Sequence, residues 1–171
     1  MTDARPMLII GNKRYSSWSL RPWMLLAHHG VAFDEIVLPL DTPEFAERIG
    51  ALSPSRRVPA LRGECPMNVC RTLSAPLPLS AAAEADVARV VALWQDALDR
   101  SGGPFLFGGF GIVDAFFAPV TTRLTTYAIP VPAVARTYID TVQALPAFRR
   151  WVEDAAREPW RIDKYERIGL A

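Results

Sequence analysis

The chain has little excess charge of either sign. Its 171 residues carry 19 Lys and Arg against 18 Asp and Glu, which gives a formal net charge of +1 at pH 7. A nearly neutral chain offers no electrostatic basis for binding nucleic acid or an anionic membrane surface. We therefore expect neither kind of partner.

Cysteine and histidine are scarce. Cys65 and Cys70 are five positions apart, a spacing that fits neither a CxxC motif nor a paired metal site. We expect free thiols, as is usual in a reducing cytoplasm, and no metal. The only histidines, His28 and His29, stand side by side near the end of a predicted helix, where they complement the helix dipole.

Long apolar runs are also missing. No stretch reaches the length of about 20 residues that a membrane span requires. The first residues lack the charged start and apolar run of a secretory signal, so we expect a cytoplasmic protein. Half of the residues are hydrophobic and 22% are charged, an ordinary globular composition that can bury one or two small cores.

The first third of the sequence alternates between strand and helix signals. An apolar segment at 7–10 predicts a buried strand, and the segment 34–40 predicts a second strand. Helices are predicted over 19–29, with Ser19 as the N-cap, and over 45–52. Such an order predicts a parallel pair of strands joined by a helical crossover.

From about residue 66 onward the pattern is purely helical. Apolar residues recur at helical spacing, and prolines or capping residues mark where the helices begin. For the predicted helix over 112–126, Gly111 is the predicted N-cap and Asp114 serves the first turn. The predicted helices run over 81–100, 112–126, 132–145 and 146–156.

Two serine hydroxyls stand just before the first predicted helix. The segment 16–21 reads S-S-W-S-L-R, and a V-P dipeptide follows at 58–59. Free N–H groups and the helix dipole make such a helix start favourable for an anion. Together the two motifs resemble the cytosolic glutathione transferases, specifically a serine-type branch near the zeta class that includes the maleylacetoacetate isomerases. That family opens its first helix with S-S-x-S-x-R and places a cis proline before its third strand.

The resemblance implies an α/β plus all-α fold. A thioredoxin-like, glutathione-binding domain would span 1–62, and an all-helical domain would span 63–171. The implied function is activation of the glutathione thiol for conjugation to, or isomerisation of, a small electrophile, with glutathione as cosubstrate and a homodimer as the assembly. The alternative is a non-catalytic binding or interaction protein with the same fold.

The resemblance also assigns candidate residues. Ser16 would donate to the glutathione thiol, with Ser17 as the second choice, and three residues would contact glutathione: Trp18, Val58 and Pro59. A hydrolase with a serine nucleophile lacks support because both histidines lie at the far end of the following helix. The pocket for the second substrate could be lined by Tyr15, Asn68, Arg71, Phe116, Arg123 and Tyr127. An arginine there would suit a carboxylated substrate.

One part of the family pattern is missing after Pro59. About fifty residues are absent there, where two antiparallel strands, a third helix and an acidic-serine pair for the γ-glutamyl group would stand. The segment 65–71 instead looks like the far end of the family's fourth helix. Either the chain is truly shortened, or the sequence omits residues of the molecule. A two-stranded remainder would be marginally stable by itself.

Overall fold

The computed structural model describes residues 5–52 and 66–169. Within these ranges the chain forms two strands and seven helices. No helix in this part of the chain is both long and apolar enough to cross a membrane. The first four elements are β1 (Met7–Gly11), α1 (Ser17–His28), β2 (Asp34–Leu38) and α2 (Pro43–Leu52).

The two strands confirm the predicted parallel pair. β1 and β2 run side by side, with Met7 opposite Asp34 at one end and Gly11 opposite Leu38 at the other. Because parallel strands need a crossover connection, α1 lies between them in sequence and packs against β1. The predicted α/β start of the chain is therefore present.

After residue 80 every named element of the described chain is a helix, as the sequence predicts. α1 packs against both α4 and α6, and α4 also packs against α5, so α1 joins the sheet to the helical part. Prolines at 132 and 146 stand at the starts of α5 and α6, where a missing N–H costs little. The helices are α3 (Ala81–Ser101), α4 (Ile112–Thr126), α5 (Ala133–Ala144), α6 (Pro146–Arg157) and α7 (Asp163–Glu166).

Large aromatic side chains fill the core between these helices. Trp94 on α3 and Trp151 on α6 are fully buried. Trp151 meets Trp23 of α1 edge-on, with ring centroids 5.2 Å apart, a favourable geometry for two aromatic rings. These contacts fix α1 against the helical part and so hold the start of α1 in place.

Two sequence predictions are wrong in detail. The first helix begins at Ser17 rather than residue 19, because Ser16 and not Ser19 caps it: the Ser16 Oγ accepts the Ser19 N–H at 3.3 Å. The described residues from 66 to 71 form no helix. There the Asn68 Oδ1 accepts the Cys70 N–H at 3.1 Å, a local turn that competes with helix hydrogen bonding.

Several predictions fall on residues 53–65, outside the described part of the chain. They concern Val58 and Pro59, Cys65, and the domain boundary near residue 62. The question of whether the family segment after Pro59 is absent from the molecule falls there too.

Candidate functional site

A tight, buried turn connects β1 to α1. The Asn12 carbonyl accepts the N–H of Tyr15 at 3.2 Å and the N–H of Ser16 at 2.8 Å, which closes the turn. All five side chains from Asn12 to Ser16 are buried. Because buried backbone groups need partners, a turn in this setting is fixed by whatever satisfies its remaining N–H groups.

Two hydrogen bonds connect Ser16 to the end of β1 by way of Ser19. The Ser19 Oγ accepts the Gly11 N–H at 3.0 Å and lies 2.6 Å from the Ser16 Oγ. One hydroxyl proton is used between the two serines, and either can supply it. When Ser19 donates, the proton of Ser16 is available to an outside acceptor. The arrangement can therefore present an O–H donor at the N-terminus of α1.

Ser17 connects α1 to α4. Its Oγ accepts a hydrogen bond of 3.2 Å from the Arg123 Nη2, so its own proton is not used in that contact. The first turn of α1 contains no acidic side chain that would oppose an anion. Ser17 is thus a second O–H donor at the same helix start.

A cavity of about 430 Å³ lies between α1, α3 and α4. Its walls are mostly apolar, with Arg21, Asp86 and Arg123 among its charged residues. The predicted pocket residues Arg123 and Tyr127 both line it. Since Arg123 also contacts Ser17, the cavity is connected to the helix start that carries the serines.

Arg21 is a cavity residue that the sequence prediction missed. Its guanidinium carbon lies 4.0 Å from the ring centroid of Trp18 and 5.1 Å from that of Phe116. The residue is only 9% exposed, and its buried Nε has no hydrogen-bond partner within the described residues. Burial lowers the pKa of Arg21. The available signal was the spacing of Trp18 and Arg21, which puts them on one face of a helix.

The other four predicted pocket residues are not among those that line the cavity. Phe116 is 49% exposed and lies beside Arg21. The remaining three contact the C-terminal segment. The Tyr15 hydroxyl donates to the Glu166 Oε1, and the Asn68 Nδ2 donates to the same oxygen at 3.2 Å. Arg71 donates to backbone carbonyls of the same C-terminal segment, including that of Ile168. None of Tyr15, Asn68 and Arg71 is among the residues that line the cavity between α1, α3 and α4.

The buried Tyr15 phenol predicts a pH dependence of stability. Burial, and then the hydrogen bond to Glu166, raises the pKa of Tyr15 from 10.0 to about 12. The phenol therefore ionises at lower pH in the unfolded chain. Its stabilising contribution is complete below about pH 10 and is lost as the pH rises through 12.

We expect the unfolding free energy of Tyr15→Phe to fall less with pH than that of the parent protein, by about 1.4 kcal/mol between pH 8 and 11. Urea denaturation at several pH values in this window measures the difference. Parallel pH profiles for the two proteins would contradict this account of Tyr15.

The sequence matches two models of one protein family. A model of the glutathione S-transferase N-terminal domain matches residues 15–67, and one of the C-terminal domain matches residues 78–154. No curated protein matches. A solved structure of a glutathione transferase homolog from Burkholderia gl BGR1, with bound glutathione, has a TM-score of 0.52. It is 19% identical, and the alignment covers 90% of this chain and 100% of that one.

This similarity shows the fold, namely a thioredoxin-like N-terminal domain with a short sheet, followed by a mostly helical C-terminal domain. The two family models between them match well over half of the sequence. The buried serines at the start of α1 lie within the first match. The chain therefore belongs to the glutathione S-transferase family.

Proposed function

We propose that the protein binds glutathione and activates its thiol for conjugation to, or isomerisation of, a small electrophile. The observation that carries this proposal is the pair of serine hydroxyls at the N-terminus of α1, connected through Arg123 to a cavity of about 430 Å³. Family membership and a structural neighbour solved with bound glutathione support it.

The energetics of such a site are sufficient. An ordinary thiol has a pKa of about 8.5, and lowering it by two units takes about 2.7 kcal/mol of preference for the thiolate. One hydrogen bond to a charged acceptor supplies about 1.5–3 kcal/mol, and a helix N-terminus adds about 0.3–1 kcal/mol. One serine hydroxyl at the start of α1 can therefore account for activation without losing its own proton.

Ser16 is the proposed thiol donor, and Ser17 is the alternative. The motif over 16–21 supports Ser16 and a serine-type enzyme near the zeta class, whereas the hydrogen bond from Arg123 supports Ser17 by making its hydroxyl a better donor. Trp18, Val58 and Pro59 are the proposed contacts of glutathione, the last two on the family resemblance alone.

The cavity favours an electrophile that carries a carboxylate. The resemblance to the maleylacetoacetate isomerases points to the same class of substrate. Arg21 places a buried cation in an otherwise mostly apolar wall, between the rings of Trp18 and Phe116. Among the described residues Arg21 forms no ion pair, and a bound anion would offset the cost of burying its charge. Asp86 also lines the cavity, but its carboxylate is 74% exposed and lies 3.8 Å from Arg89.

Replacing Arg21 should change substrate preference more than overall activity. We expect Arg21→Met to lower kcat/KM for 4-chloro-3-nitrobenzoate about 10- to 100-fold, the effect of losing one charged hydrogen bond. The uncharged amide of the same ring, 4-chloro-3-nitrobenzamide, should be affected less than threefold. Steady-state kinetics with the two electrophiles measures the ratio, and an equal loss for both would contradict a role for Arg21 in anion recognition.

Two measurements on the unaltered protein test the proposed function. Calorimetry should detect glutathione binding, and a conjugation assay with a generic aryl halide should detect thiol transfer. If neither glutathione binding nor transfer is found, the enzyme proposal fails. The alternative of a non-catalytic binding protein, suggested by the absent γ-glutamyl segment, would then account better for the chain.

The family resemblance further supports a cytoplasmic homodimer. The family's usual dimer face includes the segment that this sequence lacks after Pro59, so an altered dimer is expected if the chain is truly shortened. Sedimentation of the purified chain tests the assembly, and a stable conventional dimer from a truly shortened chain would contradict the expectation.

A further inference from the structure

The buried turn before α1 is held by a residue from the distant end of the chain. The Glu158 Oε1 accepts the Lys13 N–H at 2.6 Å, and its Oε2 accepts the Arg14 N–H at 3.1 Å. Glu158 is itself only 8% exposed. A carboxylate that accepts two backbone N–H groups forms stronger hydrogen bonds than a neutral acceptor.

Other contacts bring the end of α6 to the same turn. The Arg14 Nη2 donates to the Ala155 carbonyl at 3.1 Å, and the Lys13 Nζ reaches Asp154 at 2.8 Å. These contacts join the side chains of the turn to α6. Glu158 alone among these residues binds the backbone N–H groups inside the turn, so it fixes the path of the main chain.

That path determines where Ser16 lies. Lys13 and Arg14, which Glu158 binds, lie between Asn12 and Ser16. The Asn12 carbonyl closes the turn by accepting the Ser16 N–H. A change in the main chain at Lys13 or Arg14 therefore moves the Ser16 hydroxyl relative to the end of β1. The strength of a hydrogen bond to a thiolate depends steeply on such a displacement.

We propose that Glu158 is a positioning residue for thiol activation, which holds the turn at Lys13 and Arg14 so that the Ser16 hydroxyl points at the glutathione sulfur. This inference rests on the proposed function. Glu158 touches neither substrate nor thiol in this role; it acts through the backbone of the turn.

Glu158→Gln tests this role with little change in side-chain size. The amide keeps one acceptor oxygen but presents an NH₂ group to the second backbone N–H, so one of the two hydrogen bonds is lost. We expect the Lys13 and Arg14 amides to exchange hydrogen at least tenfold faster. We also expect the midpoint of the pH profile of kcat/KM for the electrophile, measured at saturating glutathione, to rise by about 0.5–1 unit, with about a three- to tenfold loss at low pH.

The direction of the midpoint shift separates positioning from simpler effects. Removing a negative charge would by itself favour the thiolate and lower the midpoint. A purely structural loss would reduce the active fraction and leave the midpoint unchanged. Glu153→Gln, an equal charge change at an exposed position on α6, is the matched control and should leave both the profile and the amide exchange unaltered.

Each outcome either supports or overturns the positioning role of Glu158. A raised midpoint in Glu158→Gln and an unchanged one in Glu153→Gln support the positioning role. An unchanged or lowered midpoint in Glu158→Gln overturns it while leaving the proposed function intact. If the unaltered protein shows no midpoint below the ordinary thiol pKa, the proposed function fails first, and the role of Glu158 fails with it.

Discussion

Asp114→Ala is expected to lower the unfolding free energy by about 3–5 kcal/mol. The Asp114 side chain, 1% exposed, accepts the Leu106 N–H at 3.1 Å, the Gly111 N–H at 2.9 Å and the Tyr138 hydroxyl at 3.0 Å. Truncation leaves three donors without their acceptor, each at a cost of about 1–3 kcal/mol when water cannot reach it. Urea denaturation followed by far-ultraviolet circular dichroism measures the loss.

Two control variants provide losses of unfolding free energy with which the loss in Asp114→Ala is compared. Asp140→Ala removes an exposed carboxylate of α5, which lies 4.0 Å from Arg136, and should cost less than about 0.5 kcal/mol. Tyr138→Phe removes only one of the three donors to Asp114 and should cost about 1 kcal/mol. Comparable small losses for Asp114→Ala and Asp140→Ala would show that the buried carboxylate does not organise the start of α4.

Ser16→Ala is expected to lower kcat/KM for glutathione conjugation about 10- to 100-fold. The variant loses the proposed hydrogen bond to the thiolate, whose net contribution is about 1.5–3 kcal/mol. Ser17→Ala should lower kcat/KM less than Ser16→Ala does if Ser16 is the thiol donor, and more if Ser17 is the donor. Steady-state kinetics of the three proteins at one pH distinguishes the two serines.

Loss of an N-cap must be separated from loss of a catalytic hydroxyl, because Ser16 also caps α1. Thr42→Ala is the matched control: the Thr42 Oγ1 accepts the Phe45 N–H at 3.2 Å near the start of α2, away from the serines. Both variants should lose about 1 kcal/mol of stability. Equal kinetic effects from Thr42→Ala and Ser16→Ala would contradict the role of Ser16.

The sequence was sufficient for the order of elements from β1 to α6, because each carries a local signal, but the short α7 was not predicted. The apolar run at 7–10 became β1, and the helical periodicity that ends at Gly102 became α3, whose last turn the glycine closes in a left-handed conformation. The start of α1 is harder to predict because three serines lie within four residues. Which of them caps the helix depended on the end of β1, where the Gly11 N–H binds the Ser19 hydroxyl.

The candidate site was less predictable because it is built from distant parts of the chain. Glu158 and Lys13 are 145 residues apart, and no local pattern signals that their atoms meet. Tyr15, Asn68 and Arg71 were predicted as pocket residues, but they bind the C-terminal segment instead of lining the cavity. Arg21 was visible in the motif over 16–21, yet its burial became apparent only with the packing of α1 against α4.

The central claim is that the start of α1 stabilises the thiolate of bound glutathione. A titration of thiolate absorbance in the ultraviolet, on the complex of the unaltered protein with glutathione, measures this directly because only the ionised sulfur absorbs strongly there. The account predicts an apparent pKa about two units below the ordinary thiol value of about 8.5. A bound thiol that titrates at about 8.5 would contradict it.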